Sequence, residues 1–459
     1  MKTSCLFTAF SRGIGPFTGA ILEWHKGKTS IHKIEKFNPW EERFANINLE
    51  AMDEDAIINT LYDAFMQALE EMACSANEVA VLLGGFDSAL VASGLKQLGK
   101  NIETFSFHYA SEGFNQPHTD TLASYLGIQH NWVEISPQIV RDGLISFTAS
   151  FNQPSNWPNY LIQTKHLCSV IRNRGFVHCY SGDGCDVLFL GYPRTHTMAK
   201  FFNSSFSIPK PIIQMLATLV QFEAIENACG RTYRVALNIL RNFGRRPPMR
   251  GFLNFRIFDE ISLKHLRKGR SNEQEYSIEE ILFKLTKNLK HFSPDRLAYR
   301  GKSSIGTNKS KISGSSDAAG VTILSPYLHV GLASFAERLP DRFCRPEGDK
   351  ATAETGKYIL TKIAEKKHLL PDEIIYQPKL AAVSAPVDDW YMGPLRNDVL
   401  EIVKHLPFNY DKKFMRGLIA SNFVRELYVK YLSGDHLTTH EMSLLLTYAG
   451  FTRLTKLNL

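Results

Sequence analysis

Cysteine is scarce in this chain of 459 residues, and the seven present (Cys5, Cys74, Cys168, Cys179, Cys185, Cys229 and Cys344) are odd in number and widely spaced. With no C-x-x-C pair among them, they support neither a disulfide framework nor a zinc site, and they read as reduced thiols in a cytoplasmic protein. Long apolar runs are missing as well. The longest stretch, near 212–220, falls far below the ~20 residues needed to span a bilayer, so no membrane span is expected. The N-terminus has a short apolar patch broken by Arg12, which makes a poor signal peptide. Charge of one sign is not in large excess: 53 Lys plus Arg face 46 Asp plus Glu, a net +7. None of the fifteen histidines shows ligand spacing of the H-E-x-x-H kind, and no G-x-x-x-x-G-K-[ST] or G-x-G-x-x-G loop occurs. Zinc hydrolases, P-loop NTPases and classical dinucleotide binders are therefore set aside.

What is present is the composition of a globular protein, 44% hydrophobic and 22% charged, with length for two to four domains at roughly 100–200 residues each. The chain changes character in four stages. Residues 1–58 form a short segment punctuated by Gly and Pro, with two runs that could pair as a hairpin. From 59 to 200 helices and strands alternate: helix 59–73, strand 79–83, helix 88–99, strand 101–109, helix 118–127, strand 130–135, helix 159–175, strand 176–180. Such alternation implies right-handed βαβ units and a parallel sheet, an α/β fold. Residues 201–320 read as mostly helical and basic, ending in a Gly/Ser-rich stretch (301–320) expected to be a mobile loop. Residues 321–459 read as a helical C-terminal part.

Two strings carry chemistry. In VAVLLGGFDSALVA (79–92) a buried strand ends at Gly84-Gly85, and a helix follows Asp87 and Ser88. Ligands of open parallel sheets bind at the carboxyl ends of strands, and two glycines before a helix N-terminus let backbone amides approach an anion. Asp87 reads either as the N-cap of a tight turn or as a Mg²⁺ ligand beside phosphate. The second string, Ser181-Gly182-Asp183-Gly184-Cys185-Asp186 running on to Gly191-Tyr192, repeats the pattern after strand 176–180.

With both strings in hand, the chain resembles the synthetase domain of the asparagine synthetase family, which includes β-lactam synthetase and the lasso-peptide cyclases. The family's S-G-G-x-D-S corresponds to residues 83–88, and its S-G-[DE]-G-x-D-x-x-F-x-G-Y is matched at every fixed position by 181–192. Residues 323–340 resemble its P-F-L-D segment, with His329 in place of the Asp. Residues 356–390 resemble the stretch from K-x-x-L-R to R-x-K-x-G-F-x-x-P. The resemblance implies an adenine nucleotide α-hydrolase-like fold of the PP-loop ATP pyrophosphatase type. It also implies an ATP- and Mg²⁺-dependent ligase that adenylates a carboxylate and releases pyrophosphate. On this reading Asp87 and Asp186 hold Mg²⁺, and Leu83, Gly84, Gly85 and Ser88 surround pyrophosphate. Ser181 and Gly182 line the adenosine pocket with the backbone at Phe107. Lys379 stabilises charge between α-phosphate and acyl oxygen, and Lys357 holds the leaving pyrophosphate. Asp183 is the base for an incoming amine, its alternative being a turn residue.

Several positions depart from the family pattern. Leu83 replaces a Ser whose hydroxyl would touch phosphate, a contact of ~1.5–3 kcal/mol. Asn115-Gln116 occupies an often acidic region, and Gln377 with Ala381-Ala382 alters the wall near Lys379, which points away from asparagine as the product. The family's amidotransferases start with a catalytic Cys after the initiator Met. Here Lys2 follows Met, and the segment before 59 is too short for a glutaminase domain. The nitrogen is then expected from ammonia, free or supplied by a partner, or from an amine on the substrate or a second substrate, with a small-molecule or peptide carboxylate as acceptor. Two other readings stay open: a tRNA-thiolating enzyme using Cys179 and Cys185, and a nucleotide-binding protein without turnover. Charge is also unevenly placed. Residues 231–302 carry 17 Lys or Arg and 7 Asp or Glu, a local +10, as a solvated helical face or as a dock for an anionic macromolecule.

Overall fold

A computed structural model describes residues 20–25, 28–33, 47–73, 76–109, 117–151, 158–191, 310–345, 356–376 and 386–404, with a few isolated positions elsewhere. Strand β1 (Ala20–His25) pairs antiparallel with β2 (Lys28–Lys33), which is the N-terminal hairpin the sequence suggested. Helix α1 (Glu54–Met72) starts five residues earlier than its periodicity indicated. The Asp53 carboxylate accepts the Ala56 N–H at 2.7 Å, and Glu54 and Asp55 favour the positive helix end.

The core of the molecule is built from β3 (Glu78–Leu82), α2 (Phe86–Gln97), β4 (Asn101–Tyr109), α3 (Pro117–Leu126), β5 (Gln129–Ile135), α4 (Pro137–Ile145), α5 (Pro158–Asn173) and β6 (His178–Tyr180). A one-turn helix α6 (Cys185–Leu188) follows, then β7 (Thr322–Leu324), α7 (Val330–Arg338), α8 (Tyr358–Lys366) and α9 (Arg396–Lys404). Five strands form one parallel sheet in the order β5-β4-β3-β6-β7. Central β3 is apolar after its first residue and buried thereafter, as a strand covered on both faces must be. Edge strand β5, QHNWVEI, is more polar and only partly buried.

Alternate β3 residues divide the core. Val79, Val81 and, one residue past the end of β3, Leu83 face one apolar cluster with residues of α1, α2, α7 and α8, while Ala80 and Leu82 face another with Leu167, Cys168 and Ile171 of α5. Helix α2 is buried continuously from Ser88 to Leu95. At its Gly94 a Cβ would press on Leu69 and Phe65, so α1 and α2 pack with almost no space between them. The Ser93 hydroxyl, donating to the Leu369 carbonyl at 2.7 Å, ties this helix to the C-terminal part.

Three features differ from the sequence-based expectations. Helix α4 was not foreseen, although Ser136 caps it and Pro137 opens it, a pair that signals a helix start. The C-terminal part read as helical also supplies β7, whose three residues are too few to show alternation. Within the Gly/Ser-rich stretch expected as a loop, Ser310–Ser315 and Ser316–Ala319 are helical turns; Ser315 is buried and its hydroxyl donates to the Leu161 carbonyl. Small side chains there permit close packing on α5. Among the described residues no helix is long and apolar enough to cross a membrane.

Candidate active site

The chain passes from β3 outward through β4 to β5, then returns to lay β6 and β7 on the other side of β3. This reversal opens a crevice between the carboxyl ends of β3 and β6, the usual ligand position in an open parallel sheet. Both strings singled out in the sequence end there. Gly84 and Gly85 are exposed and nothing lies within 4 Å of where their Cβ atoms would be. Gly85, not Asp87, is the N-cap of α2. The Ser88 hydroxyl closes the loop, accepting from the Gly84 and Gly85 amides at 2.9 and 3.2 Å and donating to the Gly85 carbonyl.

The second loop rests directly on the first. A Cβ on Gly182 would come within 2.7 Å of the Ser88 nitrogen and of Asp87 Cβ, so only glycine permits this approach. Gly184, at φ +91°, turns the chain into α6. Ser181 is buried, and the Ser325 hydroxyl at the end of β7 donates to the Asp183 carbonyl. The pairing of β3 with β4 stops at Phe105, whereas β4 continues beside β5 to Tyr109, so Phe107 lies beyond the carboxyl end of β3.

At the centre stands Lys357. Its ammonium lies 2.5 Å from Asp87 Oδ1 and 2.8 Å from Asp186 Oδ1, with only 8% of the residue exposed. Burial alone would lower its pKa, but the two carboxylates outweigh that and hold it well above the ordinary lysine value. The lysine arrives from the loop before α8 with φ +64°, a left-handed conformation uncommon for a side-chain-bearing residue. Its N–H donates to the Phe189 carbonyl at 2.9 Å. Gly356 and Gly191 make room: a Cβ on the first would meet the Leu190 carbonyl, and one on the second would overlap Asp186 Oδ1 and Lys357 Cε.

Two residues beneath this triad were not singled out for it. Tyr327, fully buried, donates its hydroxyl to the Asp87 carbonyl at 3.1 Å, its ring packed between Phe65 and Phe189. Cys185 is buried beside Asp87 and Tyr327; burial first, and Asp87 next, push its thiol pKa well up. A neutral, enclosed thiol is no nucleophile, and Cys179 is equally buried within β6, so the thiolation reading loses its two cysteines. Tyr327 sits in the segment that carries His329, yet a hydrogen bond spanning 240 residues leaves no local signal.

The remaining expected residues fall elsewhere. Leu83 is not in the crevice: its side chain is 6% exposed in the apolar cluster, its N–H donates to Phe105, and its carbonyl accepts from the Ser106 hydroxyl at 2.6 Å. His329 pairs with Glu71 at 2.9 Å on the α1 side. Asp183 is half-buried on the second loop. Lys379 and the basic region 231–302, but for Leu240, lie outside the described residues.

The donor set fits a magnesium ion. Two carboxylates already converge on one cation, and Mg²⁺ is ordinarily held by one or two carboxylates plus substrate phosphate oxygens. No cluster of three or more His, Cys, Asp or Glu among the described residues could hold a metal by itself. Comparison with known proteins adds that a family model described as asparagine synthase matches residues 60–454, spanning both loops and Lys357. A comparison with curated proteins gives no match.

Proposed function

The chain belongs to the asparagine synthase family, whose members are ATP-dependent carbon–nitrogen ligases, and from that premise we propose an AMP-forming amide ligase that adenylates a substrate carboxylate. The acyl group then passes to an amine or ammonia, in specialised biosynthesis rather than asparagine supply. The observation that carries the reading is the meeting of Asp87, Asp186 and Lys357 in the crevice between β3 and β6.

A carboxylate is a poor electrophile, and replacing its oxygen requires a leaving group. Attack of the carboxylate oxygen on the α-phosphorus of ATP breaks the α–β phosphoanhydride bond, forming acyl-AMP and expelling pyrophosphate. The amine nitrogen then attacks the acyl carbon, and AMP leaves. Catalysis of such steps is mainly positioning and charge stabilisation. Asp87 and Asp186 would hold Mg²⁺, which when bound neutralises phosphate charge. The Gly84 and Gly85 amides line the pyrophosphate position, released to it as the Ser88 hydroxyl turns. Lys357, its charge secured by two carboxylates, supplies the cation for the leaving pyrophosphate. Ser181, Gly182 and the Phe107 backbone border the adenosine. Asp183, on the adjoining loop, accepts the proton that the attacking amine must lose. Lys379 is assigned to charge between α-phosphate and acyl oxygen by the family pattern alone.

The test is ATP–[³²P]pyrophosphate exchange against a panel of small-molecule and peptide carboxylic acids. Mg²⁺-dependent exchange with at least one acid is expected, and its loss in Lys357→Ala. A protein that binds ATP but exchanges with no acid across a broad panel would instead be a nucleotide-binding protein without turnover.

A further inference from the structure

The geometry points to Lys357 as an internal counter-cation that keeps free divalent metal off Asp87 and Asp186 until a nucleotide triphosphate draws the ammonium away. This rests on the reading of the crevice as a Mg·ATP site, and adds to it an order of binding.

Three observations carry it. The ammonium lies 2.5 and 2.8 Å from one oxygen of each carboxylate, inside the space a shared metal would need. A cation that bridges both carboxylates and a metal ion that bridges both cannot be present together. Second, the lysine is held there by its backbone as well as its charge. The left-handed φ of +64°, the 2.9 Å bond from its N–H to Phe189, and the absent side chains of Gly191 and Gly356 all direct it to this spot. Third, the site is closed, with 10% of the Lys357 side chain and about a fifth of each carboxylate side chain exposed, so solvent screens the pair poorly.

Charge explains the exchange. Two carboxylates and one ammonium sum to −1, and a divalent ion entering alone would bring +2 into contact with an ammonium whose ion-pair partners among the described residues are those two carboxylates. A triphosphate supplies the missing partner: the ammonium moves onto phosphate oxygen, the carboxylates are freed, and the metal enters with the nucleotide. The exposed Gly84-Gly85 loop, which leads into Asp87, is where those phosphates would lie. Metal binding thus becomes conditional on substrate, and the two carboxylates are not consumed by free cellular metal.

Mn²⁺ is a spectroscopic probe of this exchange, followed by the loss of its free electron paramagnetic resonance signal. Wild-type protein with Mn²⁺ alone is expected to bind weakly. The variants Lys357→Gln and Lys357→Met should bind nucleotide-free Mn²⁺ at least about tenfold more tightly, because a site blocked most of the time shows an affinity reduced by its open fraction. Wild type with a non-hydrolysable ATP analogue should bind Mn²⁺ as the variants do. Nucleotide-free Mn²⁺ binding by wild type at the affinity of the variants, or no gain in two variants that circular dichroism shows folded, overturns the proposal and leaves the Mg·ATP reading standing. Should both variants fail to fold, the wild-type arm decides: a rise in its melting temperature with Mn²⁺ alone equal to that with Mn²⁺ and analogue overturns the proposal, and a rise confined to the latter supports it. No Mn²⁺ binding by wild type or variants even with the analogue would count against the Mg·ATP reading itself.

Discussion

At the scale of single residues, Lys357 and His130 show opposite outcomes of burying a basic group. Lys357 keeps its proton because two carboxylates meet it, in a backbone conformation whose positive φ costs ~1–2 kcal/mol. His130, on edge strand β5, has its Nδ1 2.8 Å from the Thr104 hydroxyl, the Trp132 ring edge-on at 4.8 Å, and a buried Nε2 with no hydrogen-bond partner. Burial pushes its pKa down to about 4 from 6.5, against a weaker upward pull from Asp120. Between those values the unfolded chain binds the proton and the folded chain does not. This contribution to stability is therefore intact above pH 6.5 and is lost as the pH falls from 6.5 towards about 4. His130→Asn should flatten that part of the curve. Urea midpoints of wild type and variant at pH about 7.5 and about 4.5 measure it, and equal acid losses in both would disprove the assignment.

At the scale of elements, what could be read in advance was what repeats locally. Buried β3 announced itself as a continuous apolar run, β4 was bounded correctly at both ends, and the two glycine-bearing loops fell at strand ends as their residue types required. What escaped was decided by tertiary contact. Nothing in TIL marks β7 as a strand until β6 lies beside it, and Leu83, placed beside pyrophosphate by its position in the family motif, is carried into the core by the alternation that β3 begins. The contact of the two loops belongs to the same class. Because the Gly182 Cβ position faces backbone atoms, which cannot swing aside, Gly182→Ala should destabilise the fold by about 1–3 kcal/mol and push the Asp87 loop out of place. Chemical denaturation reads the first effect and pyrophosphate exchange the second. A variant with wild-type stability and exchange would show that the loops have more freedom than their spacing indicates.

For the whole molecule, alternating helices and strands were enough to specify an α/β parallel sheet, but not its order, because β6 and β7 are separated by more than a hundred residues of chain. That order matters for function: only by returning to the far side of β3 does the chain set its second carboxylate loop against the first. The intervening chain holds the charge asymmetry. With 17 basic and 7 acidic residues in 231–302, the remainder of the chain carries a slight negative excess, so the positive excess lies in that stretch of sequence. We propose that it docks an anionic bearer of the acid substrate, such as a carrier protein, an acidic peptide or a tRNA. Reversing Arg245, Arg246, Arg267, Lys268 and Arg270 to Glu removes the local +10. Steered encounters gain roughly 10- to 1000-fold in rate and lose it steeply with ionic strength, so the variant should lose at least about tenfold in kcat/KM at low salt, and with it the salt dependence. Exchange with the free acid, which needs no docking, should be unaffected. Unchanged turnover and salt dependence with the borne substrate would reduce the region to a solvated face; a parallel loss with the free acid would place its effect on the catalytic core instead.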